Sequence, residues 1–153
     1  MKWLIILCIL FIEVYGVTPQ ALDGNWYAYR QSKDNGTVTV EKEYLHLNVN
    51  HTFTIQLFVS LQKEEAFIKD LRIEGSGIWK SKENTLVIYI KKVEVPFAKE
   101  IYLISQESLR NLANNFKHKY ESEPLRIIEI KSLIGDKLVT SNEALIETSY
   151  TRQ

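Results

Sequence analysis

Cysteine is almost absent from this 153-residue chain, which carries only Cys8. No disulfide can form within it, and zinc sites built from several thiolates are excluded. Proline and glycine are also scarce, at three and six, and neither clusters into a linker or low-complexity tract. No repeat period runs along the chain. Neither sign of charge prevails, with 19 Lys+Arg against 19 Asp+Glu, so the polybasic surface that phosphate backbones require is missing and no nucleic-acid partner is expected. What is present is 45% apolar and 25% charged residues, the balance of a chain that buries a core as a single domain.

Only one long hydrophobic run exists, the ten residues from Trp3 to Ile12. Lys2 precedes it, and Val14-Tyr15-Gly16 follows with small residues at the two positions a signal peptidase reads. We read residues 1–16 as a signal peptide and residues 17–153 as the domain, secreted or periplasmic after cleavage. Ten residues rise about 15 Å as a helix, roughly half the hydrocarbon thickness of a bilayer. No stable membrane anchor is therefore expected once the signal is removed. Ile6-Leu7 stand before Cys8 where a lipoprotein signal has small residues, which argues against lipid attachment.

The remainder alternates with the period of strands. Phe53, Ile55, Leu57, Val59 and Leu61 fall on one side of residues 52–61, and Tyr44 to Val49 alternates likewise across a turn at Asn48 to His51. Leu86, Ile88 and Ile90 share a face of a strand that follows the polar turn Ser81 to Asn84. Gly75 and Gly77 precede that turn and read as relief of crowding at a bend or bulge. Three further short strands are expected over Arg126 to Leu133, Lys137 to Thr140 and Ala144 to Arg152. One helix is expected from about Gln106 to Tyr120, capped by Ser105, stapled by Ile104 and Leu109, and striped by Leu109, Leu112, Ala113, Phe116 and Tyr120. Pro124 stops it. The stripe needs an apolar surface, either the mouth or the outer wall of the sheet.

These elements define an all-β fold, an antiparallel up-and-down β-barrel of about eight to ten strands with one packed α-helix. Closure removes the edges that a sandwich would leave exposed. A barrel of about eight strands is wide enough either to be filled by side chains or to hold one small ligand.

Leu22-Asp23-Gly24-Asn25-Trp26-Tyr27 resembles the Gly-x-Trp opening of the first strand in lipocalins and related calycin barrels. The resemblance implies that Gly24 and Trp26 close the barrel floor and that Arg152, in the last strand, stacks across Trp26. Residues 47–54 and 77–86 resemble hairpins of exported bacterial lipocalin-like domains. The Thr-Asp-Tyr motif and the disulfide of animal lipocalins are absent, and the helix precedes the last strands, so the pattern lies nearest to the bacterial domains.

The leading expectation is non-covalent binding of a small hydrophobic molecule, lipid or fatty-acid-like, inside the barrel. Alternation nominates Ala28, Leu45, Leu47, Phe53 and Ile55 as wall residues, together with Leu57, Leu86, Ile88 and Ile90. The alternative is an interaction or inhibitor protein whose filled barrel binds another exported macromolecule through loops or its outer face, with Lys63, Glu64, Glu65, Lys91, Lys92, Glu94, Lys99 and Glu100 as the charged residues of one end. Their signs are mixed, as on an ordinary solvated surface.

An enzyme is not expected. His46 and His51 flank a turn without a third ligand, and His118 stands between two lysines on the helix, so no metal site and no cofactor are expected. No Gly-x-Ser-x-Gly, P-loop or His-Glu-x-x-His sequence occurs. Carboxylates such as Glu41, Glu43, Glu64, Glu65, Glu121 and Glu123 are numerous, but nothing in the sequence isolates two of them in an apolar setting. Were chemistry run inside the barrel, Arg30 and Tyr102 are the inward candidates. Two sequons, Asn35-Gly36-Thr37 and Asn50-His51-Thr52, lie in turn-like stretches, and Asn35-Gly36 is equally a turn dipeptide.

Overall fold

Every long run of alternating residues becomes a strand, and each tight turn reverses the chain. The computed structural model describes residues 16–153. The expected signal peptide thus lies outside the described residues except for Gly16. A four-residue helix α1 (Pro19–Leu22) leads into β1 (Gly24–Asp34), β2 (Thr37–Leu47), β3 (Thr52–Lys63), β4 (Ala66–Lys82) and β5 (Thr85–Glu94). A short β6 (Glu100–Tyr102) and helix α2 (Gln106–Ser122) follow, then β7 (Leu125–Ile134), β8 (Lys137–Ser141) and β9 (Glu147–Arg152).

The sheet is antiparallel throughout and runs β3-β2-β1-β9-β8-β7-β5-β4, with β3 pairing β4 to close the ring. Eight strands form the barrel in up-and-down order. β6 stands outside the ring, added to the start of β4 through Phe67↔Tyr102, Ile68↔Ile101 and Lys69↔Glu100. The β1–β2 turn uses Asn35 and Gly36 at φ 47° and 78°, the pair of positive angles that matches the twist of a two-residue hairpin.

The register shifts between Ser76 and Gly77, where β4 faces β5. A Cβ on Gly77 would run into the Tyr89 carbonyl oxygen, and one on Gly75 would come within 2.8 Å of Ile55 Cγ2. Gly77 is therefore required by close approach to backbone at the bulge, and Gly75 makes room for the Ile55 side chain opposite it on β3.

The interior divides in two along the barrel axis. At the floor, Leu22, Trp26, Leu47, Phe53, Trp79 and Leu86 pack as the larger buried cluster. Trp26 and Trp79 are each 1% exposed, and their indole N–H groups donate to the carbonyls of Leu22 at 2.7 Å and Asn48 at 3.1 Å. At the opposite end Leu57, Val59, Ile68, Leu71, Ile73 and Val93 form a second cluster, onto which Leu109, Leu112, Phe116 and Tyr120 of α2 pack. Ser105 caps α2 by accepting from the Ser108 N–H at 3.0 Å, and Ile104 packs into the same cluster as Leu109. The helix therefore covers the mouth end of the barrel.

Candidate functional site

Above the floor the barrel is hollow, with residues of both clusters in its wall, and it opens to the mouth. The cavity has a volume of about 920 Å³, near the upper end of the range for small-molecule sites. Its apolar wall comes from Leu45, Phe53, Ile55, Leu57, Leu86, Ile88 and Ile90, seven of the nine residues that alternation nominated. Ile73, Val93, Ile128 and Leu138 add to it, and Phe116 and Tyr120 reach in from α2. The mouth is rimmed by exposed residues: Gln31 and Ser32 of β1, Lys119 and Glu123 at the end of α2, Ile127 of β7, and Asn142, Glu143, Ala144 and Ile146 of the β8–β9 loop.

Ala28 and Leu47 face inward but do not reach the cavity. Leu47 is spent in the floor beside Trp26 and Trp79. Ala28 pairs across β1 with Glu43 on one side and Tyr150 on the other. Its methyl is short enough for the Tyr150 hydroxyl to pass over it and donate to Glu43 Oε1 at 2.6 Å.

That bridge belongs to a polar wall absent from the apolar expectation. Arg30 Nε and Nη2 both lie 2.9 Å from Glu41 Oε2, and Arg30 Nη1 donates to Thr148 Oγ1 at 2.9 Å. Glu43 Oε2 is 3.7 Å from Arg30 Nη2. The arrangement follows from register: Arg30 pairs directly with Glu41, and Ala28 with Glu43, so the four side chains stack in two rows on one face of β1 and β2.

Burial sets the protonation behaviour of this wall. Glu43 is 9% exposed, and its pKa is raised by loss of solvent, against the opposing pull of the Tyr150 hydrogen bond and the Arg30 charge. Tyr150 is pushed well above the usual tyrosine range by burial and then by the Glu43 carboxylate. Tyr120 is also raised, by burial first and by Glu43 next. For Arg30, burial disfavours the cation, but Glu41 and Glu43 together outweigh it and raise its pKa.

Three residues seal the opposite end. Arg152 lies over Trp26, its guanidinium carbon 4.2 Å from the ring centroid. It donates to the carbonyls of Asp23 and Ala21, the latter at 2.7 Å. Gly24 sits at φ 123°, and a Cβ there would come within 2.8 Å of Arg152 Nη1.

Of the two inward candidates for chemistry, Arg30 does face the cavity, whereas Tyr102 does not. Tyr102 is 52% exposed and stacks on Phe67 with ring centroids 5.7 Å apart, because β6 pairs outside the ring. The histidines are dispersed: His46 contacts Asn25, His51 lies against Trp79 at 5.1 Å, and His118 is exposed on α2. Among the described residues, no group of three or more His, Cys, Asp or Glu converges as a metal site, and no helix is long and apolar enough to cross a membrane. The charged set from Lys63 to Glu100 is exposed throughout.

No family model matches the chain, and no curated protein matches it. A closed eight-stranded antiparallel barrel with its indole floor is compatible with a lipocalin-like fold.

Proposed function

We propose that this protein is an exported, lipocalin-like carrier that binds one small hydrophobic molecule, lipid or fatty-acid-like in its tail, non-covalently inside the barrel. The observation that carries this reading is the pocket of about 920 Å³ that runs from the packed floor to the open rim at α2. Side chains that were there only for stability would fill that space, because interiors pack to crystal density and each unfilled volume costs stability. Leu45, Phe53, Ile55, Leu57 and Ile88 supply the apolar contact, and the rim at α2 gives the route of entry.

A filled barrel is the premise of the interaction-protein alternative, and the hollow interior counts against that premise. Secretion is read from the run at Trp3 to Ile12, and the calycin kinship from Gly24, Trp26 and Arg152.

Titration with the neutral fluorophore N-phenyl-1-naphthylamine tests the function. The expected result is a saturable rise in emission that excess single-chain lipid displaces. An emission change that is linear in probe and indifferent to competitor would end the reading.

A further inference from the structure

The carrier reading leaves the polar end of the ligand unspecified, and the wall formed by Arg30, Glu41, Glu43 and Tyr150 bears on it. Arg30 is the obvious partner for a carboxylate head, and its Nη1 and Nη2 each keep a second N–H, but its charge is already matched, with Nε and Nη2 both 2.9 Å from Glu41 Oε2 and Nη1 donating to Thr148 Oγ1 at 2.9 Å. Glu43 is in the reverse position. Oε1 accepts from Tyr150, while the nearest cation to Oε2 is Arg30 at 3.7 Å, beyond hydrogen-bond reach. A carboxylate oxygen accepts more than one hydrogen bond, and Glu43 borders the cavity.

Charge agrees with geometry. Along the wall one guanidinium faces two carboxylates. At the mouth Lys119 and Arg126 are matched by Glu123 and Glu143, with Arg126 and Glu123 paired at 3.4 Å. Among the described residues that line the cavity, the three cations Arg30, Lys119 and Arg126 face the four carboxylates Glu41, Glu43, Glu123 and Glu143, so a carboxylate head beside Glu43 would meet a lining that already carries excess negative charge.

We infer that the cavity selects, among single-tailed amphiphiles, those whose head donates hydrogen bonds and carries no negative charge, a primary ammonium or a hydroxyl, with Glu43 as its acceptor. This rests on the carrier reading and adds the head-group class to it. Tyr150 is a positioning residue: its hydroxyl holds Glu43 Oε1, which leaves Oε2 turned to the ligand.

Displacement of N-phenyl-1-naphthylamine from the full chain at neutral pH tests it, with dodecylammonium, dodecan-1-ol and dodecanoate as competitors of equal tail, each below its aggregation concentration. The ammonium and the alcohol should displace the probe at concentrations about tenfold lower than dodecanoate. Glu43→Gln should weaken the ammonium most. The double variant Glu41→Gln/Glu43→Gln, which releases Arg30, should reverse the order and favour dodecanoate. Dodecanoate binding as well as or better than the other two in the unmodified protein overturns the inference and leaves the carrier reading standing. Absence of any saturable probe uptake overturns both. The ranking in the unmodified protein decides the matter even where a variant fails to fold, which its far-UV circular dichroism reports.

Discussion

Arg152 and Trp26 are neighbours across the seam that joins the last strand to the first, and the guanidinium lies 4.2 Å from the indole centroid. The contact does more than add a cation–π attraction. Arg152 also ties the carbonyls of Asp23 and Ala21, so the segment that runs from α1 into β1 is fixed to the end of the chain. Arg152→Ala removes the stack and leaves two carbonyls to find other partners, at an expected cost of about 1–3 kcal/mol. Arg152→Lys keeps the charge but loses the planar fork and should recover only part of that. Urea midpoints for the three proteins check the order, and an alanine variant as stable as the parent would remove the clamp from the account.

Gly77 is the second place where a single atom decides the fold. Its missing Cβ makes room for the Tyr89 carbonyl at the β4–β5 bulge and for Phe53 in the barrel interior. Gly77→Ala should lower stability by about 1–3 kcal/mol through overpacking, read as a shift in denaturation midpoint. Gly36→Ala, at an open turn with nothing near its Cβ site, should cost less, about 1 kcal/mol, from its positive φ alone.

Much of this barrel was legible because its strands keep strict phase. The set Phe53, Ile55, Leu57 marks an inward face over many residues, and the same phase places Leu86, Ile88 and Ile90 on the wall. Of the polar wall only Arg30 was legible as an inward residue; Glu41, Glu43 and Tyr150 were not, for the same reason. Glu41 and Glu43 continue the phase of Leu45 and Leu47, as Arg30 continues that of Trp26 and Ala28. A hydrophobicity pattern, however, treats an inward charge as the end of the buried stretch. Only the pairing across β1 shows that these charges meet one another. Tyr102 misled in the opposite direction, since nothing local distinguishes a three-residue strand outside the ring from one within it. The helix was legible at both ends, from Ser105 and Pro124, but whether its stripe would cover the mouth or the outer wall depended on contacts distant in sequence.

If the cavity is the binding site, filling it should abolish binding without undoing the fold. Ile90 touches both packed clusters and borders the void. Ile90→Trp places extra volume into space that is already empty, so strain should stay within about 1–2 kcal/mol. Probe affinity should fall at least tenfold. A tryptophan variant that folds and takes up the probe as the parent does would place the ligand elsewhere.

The buried carboxylate gives stability a specific dependence on pH. Glu43 is held among Arg30, Glu41 and Tyr150, with Tyr120 of α2 also coupled to it. Burial is the largest influence and raises its pKa in the folded state. An unfolded glutamate titrates near about 4.3, so the folded protein holds this proton more tightly than the unfolded chain. The stabilisation from that proton is complete below the unfolded value and is lost as pH rises through the higher folded value. Other carboxylates titrate over the same range, and comparison with Glu43→Gln isolates this one, because the amide stays neutral and keeps an oxygen for Tyr150. The stability of the parent minus that of Glu43→Gln should decline as pH is raised from about 4 and level off once Glu43 is ionised. Urea unfolding of both proteins across that range gives the difference directly. A difference that grows with pH would mean that Arg30 and Tyr150 outweigh burial and that Glu43 is held ionised.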